Sequence, residues 1–416
     1  MFKNYLKITL AVMRRRKFFT FISLFGISIT LTILIVLTAF YEHMFAGKYP
    51  EVYRDRSLFS TMIEETDTST GGMRRGPMSI YFIKKYISTL KTPEKVGFSS
   101  SPNTVNTYGN GKKLKLYYKY TDANFWEILS FEFLEGKPIT QQHFDNNEAV
   151  AVINDETRDD YFGKGVSATG KTIEINGQNL RVIGVVRGSP ITRMMVSADV
   201  YMPYHLQKVD PLTTSFNGAY QPIILAKNER DLPLVQAEFN EVVPRIPLQQ
   251  DGDFKPHVLN AKLELYFESF MMSGPFGGSG NGEAQRRFYI FATLFALFFM
   301  SLPAINLVNI NVSRILERSS EIGIRKAFGA SSKTLVYQFV LENILLTLMG
   351  GALALIIAAV FLWWFNASHF IDYADLAINW TVVIVTIALS LVFGLMSGVF
   401  PAWRMSKLPI VEALRA

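Results

Sequence analysis

"FFTFISLFGISITLTILIVLTAF", Phe18 to Phe40, runs for 23 residues without a charge. At about 1.5 Å per residue such a helix crosses a hydrocarbon core of about 30 Å. Three more apolar runs crowd the last third of the chain, at Phe288–Val308, Phe339–Phe365 and Ile378–Phe400. They account for a composition that is 49% hydrophobic with a mean hydropathy of +0.18, above that of an ordinary soluble chain. Pro303 inside the second run kinks a membrane helix rather than ending it, and Glu342 lies at the margin of the third.

Arg14-Arg15-Arg16-Lys17 ahead of the first run would also suit a secretion signal. Signal cores are only about 7–15 residues long, and no small-residue cleavage site precedes "YEHMF", so the run reads as an uncleaved helix. The expected fold is therefore a membrane protein with four transmembrane α-helices and a large α+β extracytoplasmic domain between helices 1 and 2. Its divisions are 1–40 (amino-terminal segment and helix 1), 41–287 (outer domain) and 288–416 (helices 2–4).

Lysine and arginine orient the chain. Residues 1–17 hold six, 309–339 hold five and 401–416 hold three, whereas the loop 366–377 holds none and carries Asp372. By the positive-inside rule both termini face the cytoplasm. Residues 41–287 hold 28 basic and 29 acidic residues, so the net charge of +7 belongs to the inner membrane face. Anionic lipid is a sufficient partner for it, and a nucleic-acid partner loses its support.

"GVSATGKT", Gly165–Thr172, matches the phosphate-binding P-loop pattern letter for letter. A P-loop needs a strand before it and a helix after the lysine. Here "NDETRDDYF" upstream reads as a solvated helix, and "TIEINGQNLRVIGVV" downstream reads as two strands around an Asn176-Gly177 type I′ turn. The segment is expected to be an inert turn in an ATP-poor compartment. "KLKLYYKY" and "EAVAVIN" read as strands, "IYFIKKYISTL" (Ile80–Leu90) as a helix, and "DLPLVQAEFNEVV" as a helix capped by Asp231 with proline in its first turn. "SGPFGGSGNGE", Ser273–Glu283, is a flexible join to helix 2.

Catalytic chemistry finds little footing. His143, His205 and His257 show no ligand spacing and the chain has no cysteine, so neither a metal site nor a disulfide framework is expected. The acid pairs Glu64-Glu65 and Asp159-Asp160 read as neighbours on solvated faces, and no G-x-S-x-G elbow occurs. Trp363, Trp364 and Trp380 suit membrane interfaces.

The most informative stretch is "RILERSSEIGIRKAFGASSKTLVYQFVLENILLTLMGG", Arg314–Gly351. Ser319 or Ser320 can cap a short helix with Glu321 in its first turn, Gly329 can end it, and Ser331 or Ser332 can start the next, which runs on into the third span. Ile324, Ala327 and Phe328 share a face that Arg325 and Lys326 flank. Such a knob either docks on a partner or lies on lipid.

This stretch resembles the loop between the second and third helices of MacB/FtsX-type ABC-transporter permeases. The ending "GVFPAWRMSKLPIVEALR" is similar to that family's carboxyl terminus, and "TDANFWEIL", "FEFLEGKPIT", "AVAVIN", "YFG", "GKTIEINGQNLRVIGVV" and "DVYMPY" follow its outer-domain order. Ser320, where the family usually has arginine, and Met405, where alanine is usual, depart from it. The resemblance implies a non-catalytic permease subunit in the inner membrane of a bacterium, a homodimer or heterodimer with a similar permease. It implies a separate ABC ATPase subunit that carries ATP and Mg, no cofactor in this chain, and a periplasmic adaptor as a further partner. Glu321, Ile322, Gly323, Ile324, Arg325, Lys326, Ala327, Phe328, Gly329 and Ala330 would be the ATPase-coupling helix. Its work would be efflux or extraction of a substrate by mechanical transmission, or FtsX-like signalling to a cell-envelope enzyme.

Overall fold

The structure, a computed structural model, describes residues 11, 13–15, 17–207, 214–250, 252–273, 286–295, 297–298, 301 and 332–406. The helices considered below are α1 (Lys17–Phe45), α2 (Ala123–Ile128), α3 (Asp155–Phe162), α4 (Leu232–Val242), α5 (Tyr266–Ser273), α6 (Ser332–Ala367) and α7 (Trp380–Ser406). The chain forms two units. One comprises Met1–His43, Tyr289–Phe370 and Asp375–Ala416, the other Met44–Phe288 and Ile371–Ala374.

In the first unit two helices among the described residues are long and apolar enough to cross a membrane: Thr20–Phe45, with mean hydropathy 2.4, and Val340–Ala367, with 2.6. Trp380–Val392 is a shorter apolar stretch at the start of the 27-residue α7. Residues 286–295 are helical, but most of the expected second span lies outside the described residues, so two of the four expected spans are met at full length. The reason α1 and α6 pack closely is legible in α6, where Gly350, Ala354 and Ala358 recur every fourth residue. Facing them are Ile27, Leu31 and Ile35, also at fourth positions. A Cβ on Gly350 would sit 2.6 Å from the Ile27 side chain. Without water to drive association in lipid, this close approach of small residues supplies the contact.

The second unit is built on a ten-stranded mixed sheet and a three-stranded one. Its strands are β1 (Ser57–Phe59), β2 (Ile63–Asp67), β3 (Gly72–Gly76), β4 (Lys95–Ser100), β5 (Asn103–Gly109), β6 (Lys112–Thr121), β7 (Phe133–Gly136), β8 (Val150–Asn154), β9 (Thr172–Ile175), β10 (Gln178–Val186), β11 (Val200–Pro203), β12 (Tyr220–Leu225) and β13 (Val258–Ala261). The large sheet runs β1-β12-β4-β6-β11-β8-β10-β7, with β5 on β6 and β9 on β10. The small sheet runs β13-β2-β3. Two pairs are parallel, β6 with β11 and β8 with β10.

"AVAVIN" does not alternate because both faces of its strand are covered. Val150 and Val152 enter one core with Phe125, Trp126 and Tyr201, while Ala151 and Ile153 enter another with Tyr118, Val182 and Met202. Central strands buried on both sides read as unbroken apolar runs. The P-loop look-alike feeds a strand: Lys171 immediately precedes β9, and β9 pairs with β10 through Asn176 and Gly177, both at positive φ (51° and 71°) as a type I′ turn requires. The upstream acidic stretch is α3, whose first turn is closed by Asn154 Oδ1 accepting from Thr157 N at 2.7 Å.

Three local expectations need correction. Glu64 and Glu65 lie not on a solvated face but in the middle strand of the small sheet, 8% and 6% exposed, where the register sets them opposite Arg75 and Arg74. Opposite charges across strands stabilise such a pair, and Glu65 Oε2 also accepts from Asn217 Nδ2 at 2.6 Å. The segment Ile80–Leu90 begins as a helix at Ile80–Phe82 but widens into a π turn at Ile83–Ile87. Asp231 precedes α4, and Pro233 lies in the first turn, yet the Asp231 side chain makes no cap bond and instead accepts from Asn228 Nδ2 at 3.3 Å.

Lys119, near the end of β6, is 0% exposed and donates to the carbonyls of Met194 (2.7 Å) and Met195 (2.6 Å). Burial pushes its ammonium down to about 7. Between about pH 7 and the ordinary lysine value of roughly 10.4 the unfolded chain binds the extra proton, so this residue makes stability rise with pH across that window and leaves it flat below. Lys119→Met is expected to flatten that rise in the unfolding midpoint of the detergent-solubilised chain. Identical slopes for variant and wild type from pH 7 to pH 10 would contradict the assignment.

Candidate functional site

The expected coupling helix, Glu321–Ala330, lies outside the described residues. Its continuation is described: α6 starts at Ser332 and runs unbroken for 36 residues into the span. The described residues converge instead on a buried charge cluster within the second unit.

A helix end leaves its last carbonyls without intrahelical donors. At the end of α1 two arginines supply them. Arg54 Nη1 donates to Met44 O at 2.7 Å and Ala46 O at 3.3 Å, and Arg193 reaches Ala46 O through both Nη atoms at 3.4 and 3.5 Å. Glu51 holds the two together, pairing through Oε2 with Arg54 Nη2 and, at 3.1 Å, with Arg193 Nη1. All three side chains are buried, at 2%, 5% and 1% exposure for Glu51, Arg54 and Arg193.

One carboxylate does not balance two guanidiniums. The negative end of the α1 dipole and the Tyr266 ring, 3.6 Å from the Arg54 guanidinium carbon, supply the remaining stabilisation. Desolvation and then the neighbouring Arg54 lower the Arg193 pKa, while burial raises that of Tyr266.

The exit segment closes on the same point. Phe45 meets Phe267 and Phe270 of α5 edge to face, with centroids 4.9 and 5.3 Å away. Thr61 and Ser269 fasten α5 to the start of the small sheet through Thr61 N to Ser269 Oγ (3.1 Å) and Thr61 Oγ1 to Ser269 O (2.8 Å). Arg193 belongs to the segment 188–198, which Lys119 grips from inside the sheet and Ser99 Oγ holds at Met195 O, 2.9 Å. The chain between α6 and α7 also contributes: Tyr373 donates to Asp155 Oδ1 at 2.6 Å, the oxygen that accepts from Gly188 N at 2.9 Å. The arrangement is a fastening rather than a catalytic centre. Among the described residues no group of three or more histidines and acids could hold a metal ion.

Sequence reading passed over Glu51, Arg54 and Arg193. The i,i+3 spacing of Glu51 and Arg54 just after an apolar run was an available signal, but Arg193 arrives from far along the chain and has none. Of the histidines, His143 closes a capping box with Thr140, His257 faces Asp67 at 3.4 Å, and His205 packs edge-on against Phe144.

The MacB-like periplasmic core domain model matches residues 20–242, and the FtsX-like permease C-terminal model matches residues 293–410. The uncharacterized ABC transporter permease YvrN of Bacillus subtilis (strain 168) is 28% identical over 306 residues, covering 71% of this chain and 68% of YvrN. The uncharacterized ABC transporter permease YknZ of the same organism is 22% identical over 334 residues, covering 77% of this chain and 76% of YknZ. The macrolide export ATP-binding/permease protein MacB of Escherichia coli (strain K12) is 23% identical over 348 residues, covering 79% of this chain and 49% of MacB. With the core-domain model alone spanning more than half of its length, this chain belongs to the MacB/FtsX family of ABC transporter permeases, membrane proteins with a large extracellular α+β domain.

Proposed function

We propose that the chain is a permease subunit that converts ATP hydrolysis on a separate ATPase subunit into movement of its outer unit, for efflux or extraction of a substrate. The observation that carries this reading is the buried grip of Arg54 and Arg193 on the carbonyls of Met44 and Ala46. A flexible linker between span and domain would dissipate a displacement of the helix end. Here the end is tied, through Arg193 and the 188–198 segment, to Lys119 in a central strand. A displacement of Met44–Ala46 is then carried into the sheet of the outer unit.

In the same reading four spans orient both termini to the cytoplasm of a bacterial inner membrane, and two similar permeases pair. The basic inner face meets anionic lipid, and an adaptor can meet the outer unit. Glu321–Ala330 seats on the ATPase, which holds ATP and Mg, with Ile324 and Phe328 as apolar anchors.

Two outcomes test the two ends of this path. Phe328→Ala is expected to weaken ATPase docking by about 2–4 kcal/mol, as for a buried interface anchor, and to deplete the ATPase from the purified complex at unchanged permease abundance. Wild-type stoichiometry in that variant would make the helix a lipid-lying element. Arg193→Met keeps the Glu51–Arg54 pair and should leave docking intact while uncoupling the outer unit. With the chain free of cysteine, Tyr108→Cys at a 73% exposed position accepts a single fluorophore. Its ATP-dependent signal in the reconstituted complex should fall severalfold in the Arg193→Met background, and a full signal would remove the joint from the transmission path.

A further inference from the structure

A cavity of about 420 Å³ opens in the outer unit between the 84–96 segment and α2, within the size range of small-ligand sites. Its charged lining sorts into used and unused groups. Lys95 pairs with Glu127, and Glu94 pairs with Arg56 at 2.8 Å. Among the described residues Lys84 and Asp122 have no contact ion pair, and the Lys84 charge lies within reach of the Asp122 carboxyl. Lys84 Nζ donates to Tyr204 Oη at 2.7 Å, which spends one of its three donors and leaves the phenol proton of Tyr204 available.

Asp122 is 9% exposed and lines the cavity, and its Oδ1 accepts from Phe98 N and Phe125 N, both at 3.0 Å. Burial raises this carboxyl to about 7, a cost that an incoming cation would relieve. Two side-chain amides complete the wall. Asn124 and Gln141 donate from their NH₂ groups to Val96 O (2.8 Å) and Asp145 Oδ1 (2.9 Å).

We propose that this cavity binds a short peptide or peptide-like zwitterion, with its ammonium at Asp122, its carboxylate at Lys84, and its backbone N–H groups on Asn124 and Gln141. The complementarity is that of a peptide backbone: a cation and an anion on one lining, two side-chain amides, and a phenol donor for a carbonyl. The site stands on the outer unit's own geometry and is independent of how the membrane helices couple to ATP.

The test is calorimetric titration of the full-length chain in lipid nanodiscs with trialanine, N-acetyl-trialanine and trialanine amide. Trialanine is expected to bind saturably, and loss of either terminal charge is expected to weaken binding by at least about tenfold, or 1.4 kcal/mol. Lys84 is an exposed side chain. Lys84→Met should therefore keep the unfolding midpoint while weakening trialanine by a similar factor, and Lys84→Arg should restore most of the affinity. No saturable binding by wild type up to about 10 mM, equal binding of all three peptides, or wild-type affinity in Lys84→Met would each overturn the proposal.

Discussion

The carboxylate of Glu51 is the element on which the buried charge cluster of the outer unit depends. A chain leaving a membrane helix presents carbonyls that neither lipid nor an apolar core can satisfy. Guanidinium groups are suited to them because each can address a carbonyl and a carboxylate at once. Two buried arginines would repel one another, and Glu51 Oε2 accepts from both. Glu51 is therefore the member whose removal leaves uncompensated buried charge, at a cost of about 3–5 kcal/mol.

From that anchor the stiffness of the unit follows. The large sheet carries a packed core on each face, and cores at crystal-like density transmit strain rather than absorb it. Lys119 extends the network from the anchor into the sheet by holding Met194 and Met195, the residues directly after Arg193. Its burial without a carboxylate partner is tolerable because two carbonyls take its donors and because its proton is loosely held. In the other unit stiffness has a different origin: fourth-position Gly350, Ala354 and Ala358 let two helices touch along their length. Polar fastening outside the bilayer and close small-residue packing within it answer to the same chain in two solvents.

The Lys84–Asp122 cavity shows how a mostly structural unit can carry recognition chemistry. Asp122 serves the fold by closing the start of α2 with Oδ1, and the same residue lines the cavity. Paired neighbours, Lys95 with Glu127 and Glu94 with Arg56, keep the lining from being a diffuse charged surface.

Local chemistry was legible in the sequence. Apolar length marked helices that the structure draws at Thr20–Phe45 and Val340–Ala367, and Asn176-Gly177 announced a turn with two positive φ values. The acidic stretch "NDETRDDYF" announced α3, and family-like signatures identified the permease class. Each of these depends on residues close together in the chain, where spacing alone sets geometry. Tertiary structure alone decided that Glu64 and Glu65 face Arg75 and Arg74 rather than water, that the helix at Ile80 widens into a π turn, and that Lys119 is dry. It alone brought Arg193 to Glu51, because the partner of a buried charge is chosen by strand order and register, and these follow from how a whole sheet covers both of its faces.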